Sequence, residues 1–259
     1  MSVTKPISAA ILTVGTEITS GEIQNSNSKW LAEQLEKLGF DVTLHLSVPD
    51  DRVMIKDALE FSKKYCEVFI VTGGLGPTSD DFTREVIADW ADAPLEFRES
   101  SWRTLEEIYH SRKLNLKPSH RQQCYYPANA ALLKNRVGTA DGFCLHSRGT
   151  HVLVLPGPPR EILAMWEPSV VPRLKTLNAG SLSVLHRWIC FGVPESEVAE
   201  KVEALIKGKG VRVGYRASKP YVHVKLWVPV NTDSSQLLKS LGESLARWQV
   251  HDGKDREDG

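Results

Sequence analysis

The chain has 259 residues, 41% hydrophobic and 25% charged, with 32 Lys+Arg against 32 Asp+Glu. Such a length accommodates one large domain, or a large one followed by a small one, and the composition is that of an ordinary globular protein. Balanced charge excludes steering of the whole molecule towards nucleic acid or an anionic membrane, so an anionic ligand must be held locally.

The first apolar run, "AAILTV", reads as a buried strand; it is too short for a signal peptide or a membrane span, and the expected location is the cytoplasm. Leu31, Leu35 and Leu38 recur at helical spacing until Gly39. "DVTLHLSV" predicts a second strand, Ile55, Ala58 and Leu59 a second helix, and "EVFIVT" a third strand. This βαβαβ pattern of continuous apolar strands implies a parallel sheet covered on both faces. After Trp90 a helical segment (residues 101–112) and a Pro-punctuated stretch follow, and "HVLVLPGPPREILAMWE" repeats strand, turn and helix.

A break is expected near residues 175–181. Beyond it "LSVLHRWICF" reads as a strand, Val198, Val202, Leu205 and Ile206 line a helix begun by Pro194, and "VRVGYR" and "YVHVKLWV" are strands. A last helix carries Leu238, Leu241, Leu245 and Trp248. The expected organisation is an α/β domain over 1–177, mainly a parallel sheet with helices on both faces, then a small α+β domain of βαββα order over 178–250. Residues 251–259 are expected to be a disordered tail. Cys66, Cys124, Cys144 and Cys190 form no C-x-x-C pair, which argues for core thiols and against a zinc cage or disulfide framework.

The stretch "VTGGLGPTSDDFTRE", residues 71–85, lies at the carboxyl end of the third strand, the edge at which open α/β sheets bind ligands. Gly73, Gly74 and Gly76 with the hydroxyls of Thr72 and Thr78 suit a phosphate. A P-loop is excluded because G-K-[ST] is absent, and a dinucleotide fingerprint fails because Ser79 stands where its third glycine belongs. Asp80 and Asp81 would repel a phosphate by about 1 kcal/mol per charge pair ~4 Å apart in water, and by more in a drier cleft. A divalent cation resolves that conflict, and oxygen-only ligands favour Mg²⁺ or Mn²⁺ over zinc. The structural alternative is that Thr78 caps the next helix while the acids complement its dipole.

Further segments belong to the same edge. "GTEITSGEIQNSNSKW" follows the first strand and brings Glu17, Asn25 and Asn27, with Ser26 or Asn27 as possible helix caps. "LPGPPRE" places Gly157 in another strand-to-helix turn, and "VGTADGF" contributes Gly138 and Asp141.

With these motifs in order, "VGTEITSGEIQNSNSKWLAEQL", "VTGGLGPTSDDFTRE", "VGTADGF" and "LPGPPREILAMW", the chain resembles the CinA-like (competence/damage-inducible) family, whose large domain belongs to the MoaB/Mog molybdopterin-binding superfamily. The resemblance spans roughly residues 9–174, and the small domain fits the family's middle domain. It implies a metal-dependent pyrophosphatase converting ADP-ribose to AMP and ribose 5-phosphate, in a homodimer, using Mg, Mn or Co. On the family pattern residues 73–78 cradle the phosphates, Asp80 and Asp81 hold the metal, and Glu17 and the nearby asparagines complete the wall. Asp81 is the first choice for the essential ligand or water-positioning group. A family stretch resembling N-R-K-Q-A falls on His120 to Cys124, so Gln122 stands where lysine is usual and Arg121 becomes the substitute cation. The nicotinamide-nucleotide deamidase domain carried by many members has no counterpart in the sequence, so no deamidation is expected.

Two other functions fit the same residues: a module that binds or adenylylates molybdopterin, and a non-catalytic nucleotide sensor or scaffold, motivated by Gln122. Nucleic acid is not an expected partner. The βαββα order resembles KH-type topology, but Gly208, Lys209 and Gly210 are one residue short of its GXXG loop.

Overall fold

The computed structural model describes residues 6–177, 183–230 and 232–250. The chain divides into two compact units, one ending and the other beginning near residue 180. The start of the expected second domain and the expected tail therefore lie outside the described residues.

The first unit is built on a six-stranded sheet. Its elements run β1 (Ser8–Val14), a single helical turn α1 (Thr16–Thr19), α2 (Ser26–Lys37), β2 (Asp41–Val48), α3 (Arg52–Lys63), β3 (Val68–Thr72), α4 (Thr83–Ala91), β4 (Leu95–Phe97), α5 (Glu99–Ser111), β5 (Tyr125–Pro127), β6 (Ala131–Leu133), β7 (Gly142–Ser147), β8 (Thr150–Leu155), α6 (Pro159–Met165) and α7 (Val171–Leu177). A 3₁₀ segment, Pro118–Cys124, precedes β5. A π turn, Trp166–Val170, joins α6 to α7, where Pro168 supplies no N–H to the ladder.

Strand order is β2-β1-β3-β8-β7-β6. The first four strands are mutually parallel, while β7 and β6 form an antiparallel edge. Alternation along each central strand feeds two cores. Leu12, Phe69, Val71, Val152 and Val154 pack with Ile55 and Leu59 of α3 and Val86, Ile87 and Trp90 of α4. Ile11, Ile70, Leu153 and Leu155 pack on the other face with Leu31 and Leu35 of α2 and Ile162, Met165 and Leu174 of α6 and α7. Each such side chain contributes about 1.5–3 kcal/mol relative to exposure. Continuous apolar strands thus reflect burial on both faces.

The second unit comprises β9 (Ser183–Phe191), α8 (Glu195–Ile206), β10 (Arg212–Ser218), β11 (Tyr221–Pro229) and α9 (Ser235–Leu245). Its antiparallel sheet has the order β10-β11-β9. Val222, Val224, Leu226 and Val228 alternate along β11 into a core with Trp188, Cys190, Val198, Val202, Leu241 and Leu245. Among the described residues, no helix is long and apolar enough to cross a membrane.

Candidate functional site

The four parallel strands end level. Thr13 pairs with Ser47 on one side and Thr72 on the other, and Thr72 pairs with Leu155. From β1 the chain leaves towards α2 on one face of the sheet, and from β3 towards α4 on the other. The two loops part at this point, where open α/β sheets carry their crevice. A cavity of about 510 Å³ opens there, lined by residues following β1, β2, β3 and β8.

The turn after β3 can be built only from glycine at its first two positions. Gly73 has φ +102° and a Cβ there would lie 2.0 Å from the Val14 carbonyl oxygen; Gly74 has φ +66° and its Cβ would lie 2.1 Å from Thr83 Oγ1. The carbonyls of this turn are tied down from behind. Gly74 O accepts from the Thr83 amide, and Leu75 O from Arg84 Nη2 (2.8 Å) and Gln123 Nε2 (3.4 Å). Gln122 Nε2 donates to Gly76 O (3.2 Å) and Thr78 O (2.8 Å). Among the described residues, the amides of Gly74, Leu75 and Gly76 have no protein acceptor. With carbonyls engaged and amides left over on the wall of a cavity, the turn is an anion cradle.

Arg84 sits beneath the cradle, 2% exposed. Burial pushes its guanidinium below its usual range, opposed by the neighbouring Tyr126, Glu85 and Asp81. Among the described residues its Nε and Gln123 Oε1 are buried without hydrogen-bond partners. Asp81 folds back on Thr78, whose amide (3.0 Å) and hydroxyl (2.5 Å) both donate to Oδ2. The adjacent Thr78 hydroxyl, although its hydrogen bond goes to Asp81 Oδ2, and then its own amide hold the Asp80 carboxyl below its usual range against a smaller desolvation effect.

The loop after β1 forms the facing wall. Asn25 Oδ1 caps α2 by accepting from the Ser28 amide, while Asn25 Nδ2 donates to Thr13 Oγ1 and Ser47 Oγ. Asn27 Nδ2 donates to Gly157 O at 2.7 Å, tying this loop to the one after β8. The Thr16 amide and hydroxyl both donate to Asp50 Oδ2, at 2.8 and 2.9 Å. A third wall comes from the 137–143 turn. Asn135 Oδ1 accepts from the Val137 and Gly138 amides, and Asp141 takes the Asn135 amide and Lys134 Nζ. Glu161 Oε2 accepts from Asn135 Nδ2 at 2.7 Å.

The cavity carries Glu17, Asp50, Asp80, Asp81 and Glu161, and among the described residues no Lys, Arg or His lines it. An anion seated on the amides therefore faces five carboxylates. Oxygen donors of this kind fit a hard divalent cation. Among the described residues no three acidic, His or Cys side chains converge as a cage. One or two carboxylates with phosphate oxygens and water completing the shell is the way Mg²⁺ is held beside nucleotides.

Comparison with known proteins accords with this architecture. A family model described as "Probable molybdopterin binding domain" matches residues 10–176. The chain belongs to that family. Within it the chain is CinA-like: it is 38% identical to a competence-damage inducible protein of Caldanaerobacter subterraneus, covering 92% of this chain and 59% of the relative. A Caldicellulosiruptor bescii protein of the same name is 35% identical, over 92% of this chain and 57% of the relative. The chain therefore spans somewhat over half the length of these two relatives. The crystal structure of CinA, of unknown function, from Thermoplasma acidophilum superimposes with a TM-score of 0.59 at 29% identity, over 65% of this chain and 98% of that one.

In this CinA-like chain the structure brings Glu17, Asn25, Asn27, Thr72, Gly73, Gly74, Gly76, Asp80, Asp81 and Gly157 to one cavity. Three expected residues lie off its lining. Thr78 is spent on Asp81, so it caps a turn; α4 begins only at Thr83, which corrects the helix-cap alternative. Gly138 is a packing glycine, since a Cβ there would lie 2.0 Å from Glu161 Oε2. Arg121 stacks its guanidinium over Phe97 (4.3 Å) and Trp102 (5.2 Å), so it is a surface cation–π residue away from the cavity. Asn25, rather than Ser26 or Asn27, caps α2. Sequence reasoning missed Asp50, Glu161, Gln123 and Thr13 on the lining. Asp50 had a signal, since it stands two residues beyond a parallel strand's carboxyl end.

Proposed function

We propose that the chain is a metal-dependent nucleotide pyrophosphatase that hydrolyses ADP-ribose to AMP and ribose 5-phosphate. The observation that carries this reading is the pairing of an amide cradle with an acidic wall: among the described residues the Gly74, Leu75 and Gly76 amides have no protein acceptor, and the same cavity is lined by Asp80, Asp81 and three further carboxylates. A pyrophosphate seats its oxygens on the amides, and Asp80 and Asp81 hold the divalent ion that makes the anion tolerable beside them. When bound, such an ion neutralises phosphate oxygens and lowers the pKa of a water. Thr78 fixes the Asp81 carboxylate through two hydrogen bonds, leaving Oδ1 outside those bonds. Arg84, buried behind the cradle, adds positive potential without occupying the cavity. Hydrolysis adds one water across the bridging P–O bond and leaves a phosphate on each product. A homodimer is part of this reading and is checked by sedimentation.

The test is incubation of the pure chain with ADP-ribose and Mg²⁺, Mn²⁺ or Co²⁺, with AMP resolved by chromatography. AMP that vanishes with a chelator supports the reading; no AMP with any of the three ions refutes it. The family description favours a second reading, a molybdopterin-binding or adenylylating module at the same cavity. Calorimetric titration with the pterin and with ADP-ribose separates the two by affinity. The sensor reading drew on Gln122, which braces the cradle's carbonyls from outside the cavity lining.

A further inference from the structure

The six-stranded sheet ends on two unlike strands. β6 at one edge has three residues, while β2 at the other has eight and, among the described residues, pairs on one side only, with β1. Natural edges are defended by shortness, Lys, Pro or bulges. β2 carries no Lys, Arg, Glu or Pro, and its one irregularity, at Thr43, leaves residues 44–48 in regular register. Thr43, His45 and Ser47 are exposed along it.

Beside this edge α3 shows an apolar stripe outside the core. Met54 is 48% exposed, Phe61 43% and Tyr65 57%, and the rings of Phe61 and Tyr65 meet at 5.2 Å. Spaced by seven and by four, the three share one side of the helix. The opposite flank of α3 faces inward: Glu60 pairs with Arg148 of the β7–β8 turn, and Arg52 stacks on Phe82 at 4.5 Å, just before α4. The stripe therefore lies towards β2, whose Leu44 and Leu46 pack on the same face of the sheet.

We infer that β2 and the outer flank of α3 form the interface of a symmetric homodimer, β2 pairing antiparallel with the β2 of a second copy and α3 packing on its α3. The inference gives the homodimer of the proposed function its surface, and rests on that reading only for the dimer itself. One two-fold axis serves both elements. His45, the middle of residues 42–48, stands about 10 Å from the end of β2. The middle of the stripe lies about 11 Å from the start of α3, and only residues 49–51 join the two elements. An axis through the middle of the strand pair thus meets the middle of the helix pair, as closed symmetry requires.

Charge is self-complementary about the same axis. Asp57 and Lys64, two turns apart, share the solvent side of the stripe, and reversing the helix about its middle sets Asp57 beside the partner's Lys64. Between Asp41 and Asp50 no Asp, Glu, Lys or Arg interrupts β2, so no such charges oppose each other within the paired span. Three half-exposed large side chains and a strand edge from each copy cover about 1,000 Å² in total, the size at which specific interfaces begin.

The experiment is sedimentation velocity of the full chain from ~1 to ~100 μM, with AMP release from ADP-ribose followed on the same samples. A reversible dimer dissociating in the micromolar range is expected. Phe61→Ala with Tyr65→Ala should weaken it at least ~10-fold, since each ring is lost twice across the axis. His45→Glu sets two carboxylates against each other and should weaken it by about 5-fold or more. Asp57→Lys should also weaken it, and adding Lys64→Asp should restore it, which damage to local structure would not do. All these side chains are exposed, and circular dichroism verifies each fold. A chain monomeric at ~100 μM overturns the inference and leaves the edge to a strand of another protein. A dimer indifferent to the two-ring variant and to His45→Glu, or one that the charge exchange does not restore, overturns it as well. No AMP from a dimer that these variants dissociate refutes the pyrophosphatase reading and leaves the interface standing.

Discussion

Gly73→Ala tests whether the cradle depends on glycine for the reason given. Gly73 has φ +102°, and its added Cβ would stand 2.0 Å from Val14 O. The left-handed conformation costs an alanine about 1–2 kcal/mol. The overlap is with a backbone carbonyl of the central strand β1, which cannot rotate away, and forcing atoms into such a space costs about 1–3 kcal/mol more. Together these predict about 2–5 kcal/mol of destabilisation. Gly21→Ala is the matched control: φ is +79°, but nothing lies within 4 Å of its Cβ. It should cost only the conformational term, about 1–2 kcal/mol. For a unit of this size each kcal/mol moves Tm by about 2–4 °C. Scanning calorimetry should therefore place Gly73→Ala roughly 2–12 °C below the control, in the transition of the larger unit alone. If the two variants melt within a degree or so of each other, the close approach of Gly73 to β1 is not what fixes the residue.

Three further outcomes follow from the site. Asp81→Asn keeps an oxygen for the Thr78 amide and hydroxyl but loses the charge, so stability should change by less than ~1 kcal/mol while divalent-dependent AMP release falls at least ~100-fold, measured by chromatography and thermal melts. Gln122→Ala removes both hydrogen bonds to Gly76 O and Thr78 O and should cost about 1–2 kcal/mol in urea unfolding, whereas Gln122→Lys can still donate to both and should cost less than half as much. Asp80 should titrate below 3.8 by carboxyl NMR. Its contribution to stability is thus present above the unfolded-state value and lost as pH falls through the folded one. Thr78→Val, which removes the hydroxyl, should raise that midpoint.

Much of the fold was legible because the central strands are buried on both faces and show it as unbroken apolar runs. Ser8–Val14 and Val68–Thr72 end where turn residues begin. The antiparallel edge β6–β7 was not legible, since β6 has only three residues in a Pro-rich region and carries no period. At the site, glycine and acid signals were readable because they are contiguous. Contacts such as Asn27 to Gly157, 130 residues apart, leave no local trace. Thr78 was misread because Thr-Ser-Asp-Asp caps a turn with the same chemistry that caps a helix. Arg121 and Gln123 were exchanged in role by 3₁₀ geometry: positions three apart share a side, so Gln123 goes in with His120 while Arg121 turns out to Phe97.

Anchoring of the glycine turn by Arg84, Gln122, Gln123 and Thr83, contributed by separate segments, bears on the kinetics of ligand capture. A receptor already in its bound shape spends little ordering entropy on recognition, so association should run at an ordinary diffusional rate without a slow isomerisation phase. Loosening any one anchor should then show itself as a shorter residence time, with the encounter rate nearly untouched.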